Sequence, residues 1–257
     1  MARLIGFLIC LIILQYSCSS LNSIIVSKEN RYKSLPPGRL VCPESRLKTN
    51  KKVIALTFDA CGGRGACGYD KEIIDYLKNE KIKATLFLNI RWIKKNRSAF
   101  DDLVSNPLFQ IENHGLKHKP ASINGASMYG VRGTSNIREL VEEVEMSARI
   151  FKEYGAKKPK YFRSGTAWYD ETSIRIIESM GYKILNFDTN SHDFDKTKTA
   201  TEISEKILKA KEGSIVIMHM NHPRRNTAEA LKLAVPQLRE MGYKFVKINE
   251  YRVQSIY

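Results

Sequence analysis

The chain has 257 residues, 43% of them apolar, enough for one large domain or two small ones with a substantial core. Five cysteines are too few for a miniprotein built on disulfides. The formal net charge of +15 favours anionic surroundings, but the lysines are scattered, are not clustered with aromatics and accompany no nucleic-acid motif; they read as a solvated basic surface, and no nucleic-acid partner is expected.

Residues 1–18 begin with Arg3 as the early charge, continue as an apolar run from Leu4 to Leu14, and end in Gln15, Tyr16, Ser17 and Cys18. The run is too short to settle across a bilayer. It has the anatomy of a secretory signal, which implies export to the periplasm or cell surface. The stretch ending at Cys18 resembles a bacterial lipoprotein cleavage site, although Leu14 lies four residues before the cysteine where three is usual. A lipid on Cys18 implies a membrane tether; ordinary signal cleavage nearby is the alternative. Residues 19–50 contain Pro36, Pro37, Gly38 and Pro43 without a clear hydrophobic period, and read as a stalk or N-terminal extension. In an oxidising compartment Cys61 and Cys67 are candidates for a disulfide around a small glycine-rich loop, and Cys42 with either of them is equally allowed.

The domain proper opens at Val53–Ala60, VIALTFDA, an apolar run of strand length that reads as a buried, central parallel strand. Asp59 stands at its C-terminal end, where a carboxylate is costly unless paired or used. A helix follows over 69–81, a strand over 83–90, a weaker helix over 91–105 and a short strand over 109–114. Residues 121–133 read as a long loop. A long helix over 136–154, with Ser135 as a cap, precedes a short strand over 161–163. A helix over 170–180, a strand over 183–188, a helix over 201–211, a strand over 214–219, a helix over 227–241 containing Pro236, and a last strand over 243–248 complete the chain. About seven strand–helix alternations with short connections predict a parallel sheet covered by helices, open or closed into a barrel.

The chemically capable residues fall at strand ends: Asp59 on the first, His114 on the third with His118 just beyond, Arg163 on the fourth, Asp188 on the fifth and His219 on the sixth. Sheets and barrels of this kind build active sites at those ends. His114 and His118, four apart, can converge on one metal. Beside Asp59 and His219 they favour a catalytic zinc that keeps a position open for water. A carboxylate base and a histidine acid around such a centre suit hydrolysis of an amide or ester.

These residues carry a resemblance to the polysaccharide deacetylases, the NodB-homology domain of carbohydrate esterase family four, from about Lys52 to Glu250. The family's Thr-Phe-Asp-Asp appears as Thr57-Phe58-Asp59-Ala60, and its His-Ser/Thr-x-x-His-Pro as His114 to His118 with Pro120 one place late. Its Arg-x-Pro-Tyr begins at Arg163, its Asp-x-x-Asp-Trp is loosely matched up to Asp193-Phe194, and its Leu-x-His is Ile217-Met218-His219. The resemblance implies a distorted (β/α) barrel of about seven strands over residues 51–257. It implies a hydrolase of non-peptide carbon–nitrogen bonds that removes acetyl groups from N-acetylated glycans, peptidoglycan or another envelope polysaccharide. It further implies Asp59 as general base, His114 and His118 as ligands of a divalent metal (zinc, or cobalt), and His219 as general acid. Arg163 then orients Asp59, and Asp193 supports His219.

One departure stands out. The family's third metal ligand is the second aspartate of the first motif, and here that position is Ala60, whose methyl group binds no metal. Glu112, two residues before His114 on the same strand face, is the candidate replacement; His192, His222 and the cysteines of the first loop are others. A noncatalytic glycan-binding protein on the same fold is the competing reading. Trp92, Trp168 and Tyr169 either line a sugar groove or pack.

Overall fold

The computed structural model describes residues 19–256; residues 1–18, read above as a secretory signal ending at Cys18, lie outside the described residues. In chain order, helix α1 covers 19–32, followed by β1 (Leu40–Val41), β2 (Glu44–Leu47), β3 (Val53–Ala60), α2 (Lys71–Asn79), β4 (Ala84–Leu88), α3 (Ile90–Lys95), α4 (Arg97–Ser105) and β5 (Phe109–Asn113). Next come β6 (Ser127–Met128), β7 (Val131–Arg132), α5 (Ile137–Glu153), β8 (Tyr161–Phe162), β9 (Tyr169–Asp170), α6 (Glu171–Ser179), β10 (Lys183–Ile184) and β11 (Thr189–Asn190). The chain ends with α7 (Ala200–Ile207), β12 (Ile215–His219), α8 (Thr227–Glu240), β13 (Lys244–Phe245) and β14 (Val253–Ile256).

The main sheet runs β10-β8-β5-β4-β3-β12-β11, all parallel, with β13 adding to the start of β3. Its two edges belong to one segment. Residues 183–190 pair with β8 at their beginning and with β12 at their end, so a single extended stretch curls the sheet into the expected distorted barrel.

Alternation along the strands sorts side chains into two layers. Ile54, Leu56, Phe58 and Ala60 of β3, with Val216 and Met218 of β12, face the helices in one large apolar cluster. Val53, Ala55, Phe87 and Ile215 face inward and fill the barrel's lower half with Leu185, Val246 and Ile248. Towards the C-terminal ends the inward positions become polar, beginning with Thr57.

The N-terminal extension differs from a stalk. Residues 19–32 form a helix, and Leu21, Ile24, Ile25 and Tyr32 pack with α5 and α6 in a second cluster. Those positions lie three, four and seven apart, a helical stripe that the polar residues between them hide. Residues beyond it form a strap: β1 pairs antiparallel with β9, and β2 with β14. The helix expected over 91–105 is broken at Asn96 into α3 and α4. Helix α5 is capped by Asn136 rather than Ser135, the Asn136 side chain accepting from Glu139 N–H. No helix among the described residues is long and apolar enough to cross a membrane.

Candidate active site

Asp59 and His219 are directly paired across β3 and β12. They open onto a cavity of about 410 Å³ at the C-terminal ends of the strands, which Cys61, His114, His118 and Trp168 also line. Arg163, immediately after β8, is fully buried, and its guanidinium crosses the barrel interior. Its Nη1 donates to Asp59 Oδ1 at 2.7 Å and to Thr57 Oγ1 at 3.1 Å. Nε and Nη2 donate to the Leu185 and Asn186 carbonyls, and the group lies 4.1 Å over the Phe87 ring. Burial works to raise the Asp59 carboxyl, but Arg163, with His114 and His219, holds it below the usual carboxylate range.

His114 is 1% exposed. Its Nδ1 bonds the Arg163 carbonyl at 2.8 Å, so Nδ1 carries the proton and Nε2 presents its lone pair to the cavity. Burial keeps the ring neutral by lowering its pKa, against the pull of Asp59. His118 sits edge-on to His114, ring centroids 4.8 Å apart. The turn between them is held from outside. Asn89 Nδ2 donates to the carbonyls of His114 and Gly115, and the Glu143 carboxylate accepts from the N–H groups of Lys117 and Lys119. Gly115 takes φ +80°, and a Cβ there meets Glu143 Oε1 at 2.4 Å, so glycine alone fits.

On the opposite wall His219 Nδ1 donates to Asp193 Oδ1 at 2.8 Å. Asp193 Oδ2 accepts from the His219 N–H and from Thr227 Oγ1. Desolvation works to lower the His219 pKa, but Asp193 raises it well above 6.5. A neighbouring Asp188 plays no part here; it bonds Ser214 Oγ, Ile215 N–H and Arg46.

Six sequence candidates are thus brought together: Asp59, His114, His118, Arg163, Asp193 and His219. Glu112 is not among them. Alternation does turn it into the barrel, but its Oε2 accepts from Lys160 and Tyr161 N–H and its Oε1 from Gln110, at the start of β8 and away from the cavity. Burial lifts its carboxyl to about 7 in spite of these donors. Trp92 and Tyr169 are fully buried and pack, whereas Trp168 lines the cavity.

Sequence reasoning gave little weight to Cys61. It is a free thiol, as are Cys42 and Cys67, rather than part of a loop disulfide. Its Sγ lies 3.8 Å from His114 Nε2. Burial works to raise the thiol, yet His118 and His219 bring it down to about 6. Among the described residues, Cys61, His114 and His118 are the one group of three metal-capable side chains whose donor atoms lie within 4.8 Å of one another. Two imidazoles and a thiol with this spacing fit a divalent transition metal. The signal was available: Cys61 is two residues beyond Asp59 and shares its strand face.

Residues 46–185 match the sequence profile of the polysaccharide deacetylase family. The chain is 25% identical over 221 residues to a peptidoglycan-N-acetylglucosamine deacetylase of Bacillus cereus, covering 85% of this chain and 95% of that protein. Among solved structures, a family 4 carbohydrate esterase from Bacillus anthracis superposes with TM-score 0.62 at 26% identity, over 80% of this chain and 84% of that one. A family 4 pseudoenzyme from the same organism shares the fold, with TM-score 0.64 at 24% identity over 79% of this chain and 66% of that one.

Proposed function

The chain belongs to the polysaccharide deacetylase family, and from that membership we propose that it hydrolyses the N-acetyl amides of an envelope glycan, peptidoglycan first among them. A relative named for peptidoglycan deacetylation aligns along 85% of the chain, and the export signal and net charge of +15 suit an anionic wall polymer outside the cytoplasm. The observation that carries the reading is the meeting of two supported acid–base groups and two histidines at one cavity.

The geometry supports the following roles. His114 and His118 would hold a divalent metal, zinc by the nature of the donors, and such an ion would supply Lewis acidity toward the acetyl carbonyl and the attacking water. Asp59 takes the proton from the attacking water. Arg163 occupies Asp59 Oδ1 and leaves Oδ2, 3.6 Å from His114 Nε2, facing the place where that water is needed. His219, its Nδ1 committed to Asp193, presents Nε2 to the departing amine and, raised well above 6.5, holds a proton for it at neutral pH. Trp168 and the exposed rings of Tyr129 and Phe194 flank the entrance and offer faces for sugar rings.

Acetate release from peptidoglycan and from N-acetylglucosamine oligomers tests the reading, wild type against Asp59→Asn, with metal content measured on both. Release by the wild type, lost in the variant while metal remains, is the expected result. Glycan binding without any release supports the noncatalytic alternative that Ala60 motivates.

A further inference from the structure

Position 60 lacks a side chain able to bind metal, yet the two histidines keep their arrangement. We propose that Cys61 is the third protein ligand of the metal, the ligand role having moved one residue along the chain. The proposal rests on the deacetylase reading only in taking a divalent metal to be present.

The displacement has a backbone cause. Strand β3 continues through Ala60, which pairs with Leu88 and accepts the Asn89 N–H on its carbonyl. Strand alternation therefore holds the Ala60 methyl in the helix-side apolar layer with Leu56 and Phe58. An aspartate there would lie in apolar packing, away from the histidines. The next residue on the face of Asp59 is Cys61, and it lines the same cavity as His114 and His118.

The spacing agrees. With metal–sulfur and metal–nitrogen bonds of about 2.3 and 2.0 Å, a tetrahedral ion separates a thiolate and an imidazole nitrogen by roughly 3.5 Å. Cys61 Sγ and His114 Nε2 are 3.8 Å apart. His114 has its other nitrogen tied to the Arg163 carbonyl, which fixes the tautomer a metal needs. Of the other described cysteines, Cys67 Sγ bonds Gly63 across its own loop, and Cys42, although it lines the same cavity, has its Sγ 3.5 Å from Asn186 Nδ2 and is not grouped with the two histidines. Two histidines and a thiolate make a three-ligand set that leaves a coordination position open towards the substrate. A thiolate also biases the site towards zinc and against magnesium, calcium and manganese.

Cobalt(II) titration of the metal-free protein provides the test. One equivalent is expected to produce the intense near-ultraviolet charge-transfer band of a thiolate–cobalt bond, and X-ray absorption of the zinc form to show one sulfur at about 2.3 Å. Cys61→Ser is expected to lose the band and at least tenfold in zinc affinity. Cys61→Asp retains stoichiometric metal without the band, which guards against a folding defect in the serine variant, and Cys67→Ser keeps the band. Wild type that binds no metal, or binds cobalt without the band, overturns the proposal, as does a band that survives in Cys61→Ser. An acetyl thioester trapped on Cys61, with zinc affinity unchanged on its substitution, also overturns it and makes Cys61 a nucleophile served by His219 and Asp193. A band with no acetate released from any glycan upholds the ligand and overturns only the deacetylase reading.

Discussion

Arg163 Nη1 and Asp59 Oδ1 form an ion pair of 2.7 Å in which the guanidinium is fully buried and the carboxylate is 4% exposed. A pair this deep gains little over an apolar pair, but breaking it strands a charge. Arg163→Ala is therefore expected to destabilise the protein by roughly 3–5 kcal/mol. The double variant with Asp59→Asn should recover part of that loss. Urea unfolding of the single and double variants measures both. A cost below about 1 kcal/mol for Arg163→Ala would mean that water reaches Asp59 and that the pair does not organise the barrel mouth.

His219 depends on Asp193 for both orientation and charge. Asp193→Asn keeps an acceptor beside Nδ1 but removes the negative charge that raises His219. Turnover is expected to fall about 100- to 10,000-fold, the range of a lost general acid, while metal content stays at the wild-type level. The alkaline limb of the kcat–pH profile moves to lower pH, because His219 then gives up its proton earlier. An unchanged limb would assign the acid to another group.

The barrel was legible in the sequence because its central strands β3, β4 and β12 are mainly apolar runs of strand length, and because chemistry gathers at strand ends. Six of the site candidates meet for that reason. The misses have a physical pattern. Helix α1 escaped because its apolar stripe is sparse and its neighbourhood is proline-rich. Glu112 was placed on the correct face, yet facing inward does not fix where a long side chain ends, and the free N–H groups of Lys160 and Tyr161 claimed it. Cys61 was assigned to a loop because glycines follow it; strand pairing out to Ala60 carries the alternation one residue further than composition suggests.

The backbone around Gly165 supports His118 from behind. A Cβ on Gly165 would stand 2.2 Å from the His118 carbonyl oxygen and 2.8 Å from the Lys119 nitrogen, both backbone atoms that cannot rotate away. His118 itself holds φ +59°, a strained conformation for a residue with a side chain. Gly165→Ala is expected to push the 115–119 turn outward and lower zinc affinity by about tenfold or more, the equivalent of roughly 1.4 kcal/mol. Isothermal titration with zinc reads this directly. Wild-type affinity in the variant would show that the turn adapts and that His118 is not held by this contact.

Glu112 makes stability depend on pH in a direction opposite to most carboxylates. Burial lifts its carboxyl from an ordinary 4.5 to about 7, outweighing the Gln110, Tyr161 and Lys160 donors. Between those values the folded chain holds a proton that the unfolded chain has released, so stability falls as pH rises through the window. The contribution is full below about pH 4.5 and gone above about pH 7, a swing on the order of 3 kcal/mol. Glu112→Gln leaves an acceptor for the Lys160 and Tyr161 N–H groups but has no proton to lose. Urea unfolding from pH 5 to pH 8 should show a decline in the wild type that flattens in the variant. Parallel profiles would mean that the three donors keep Glu112 ionised throughout, and that hydrogen bonding rather than burial sets its charge.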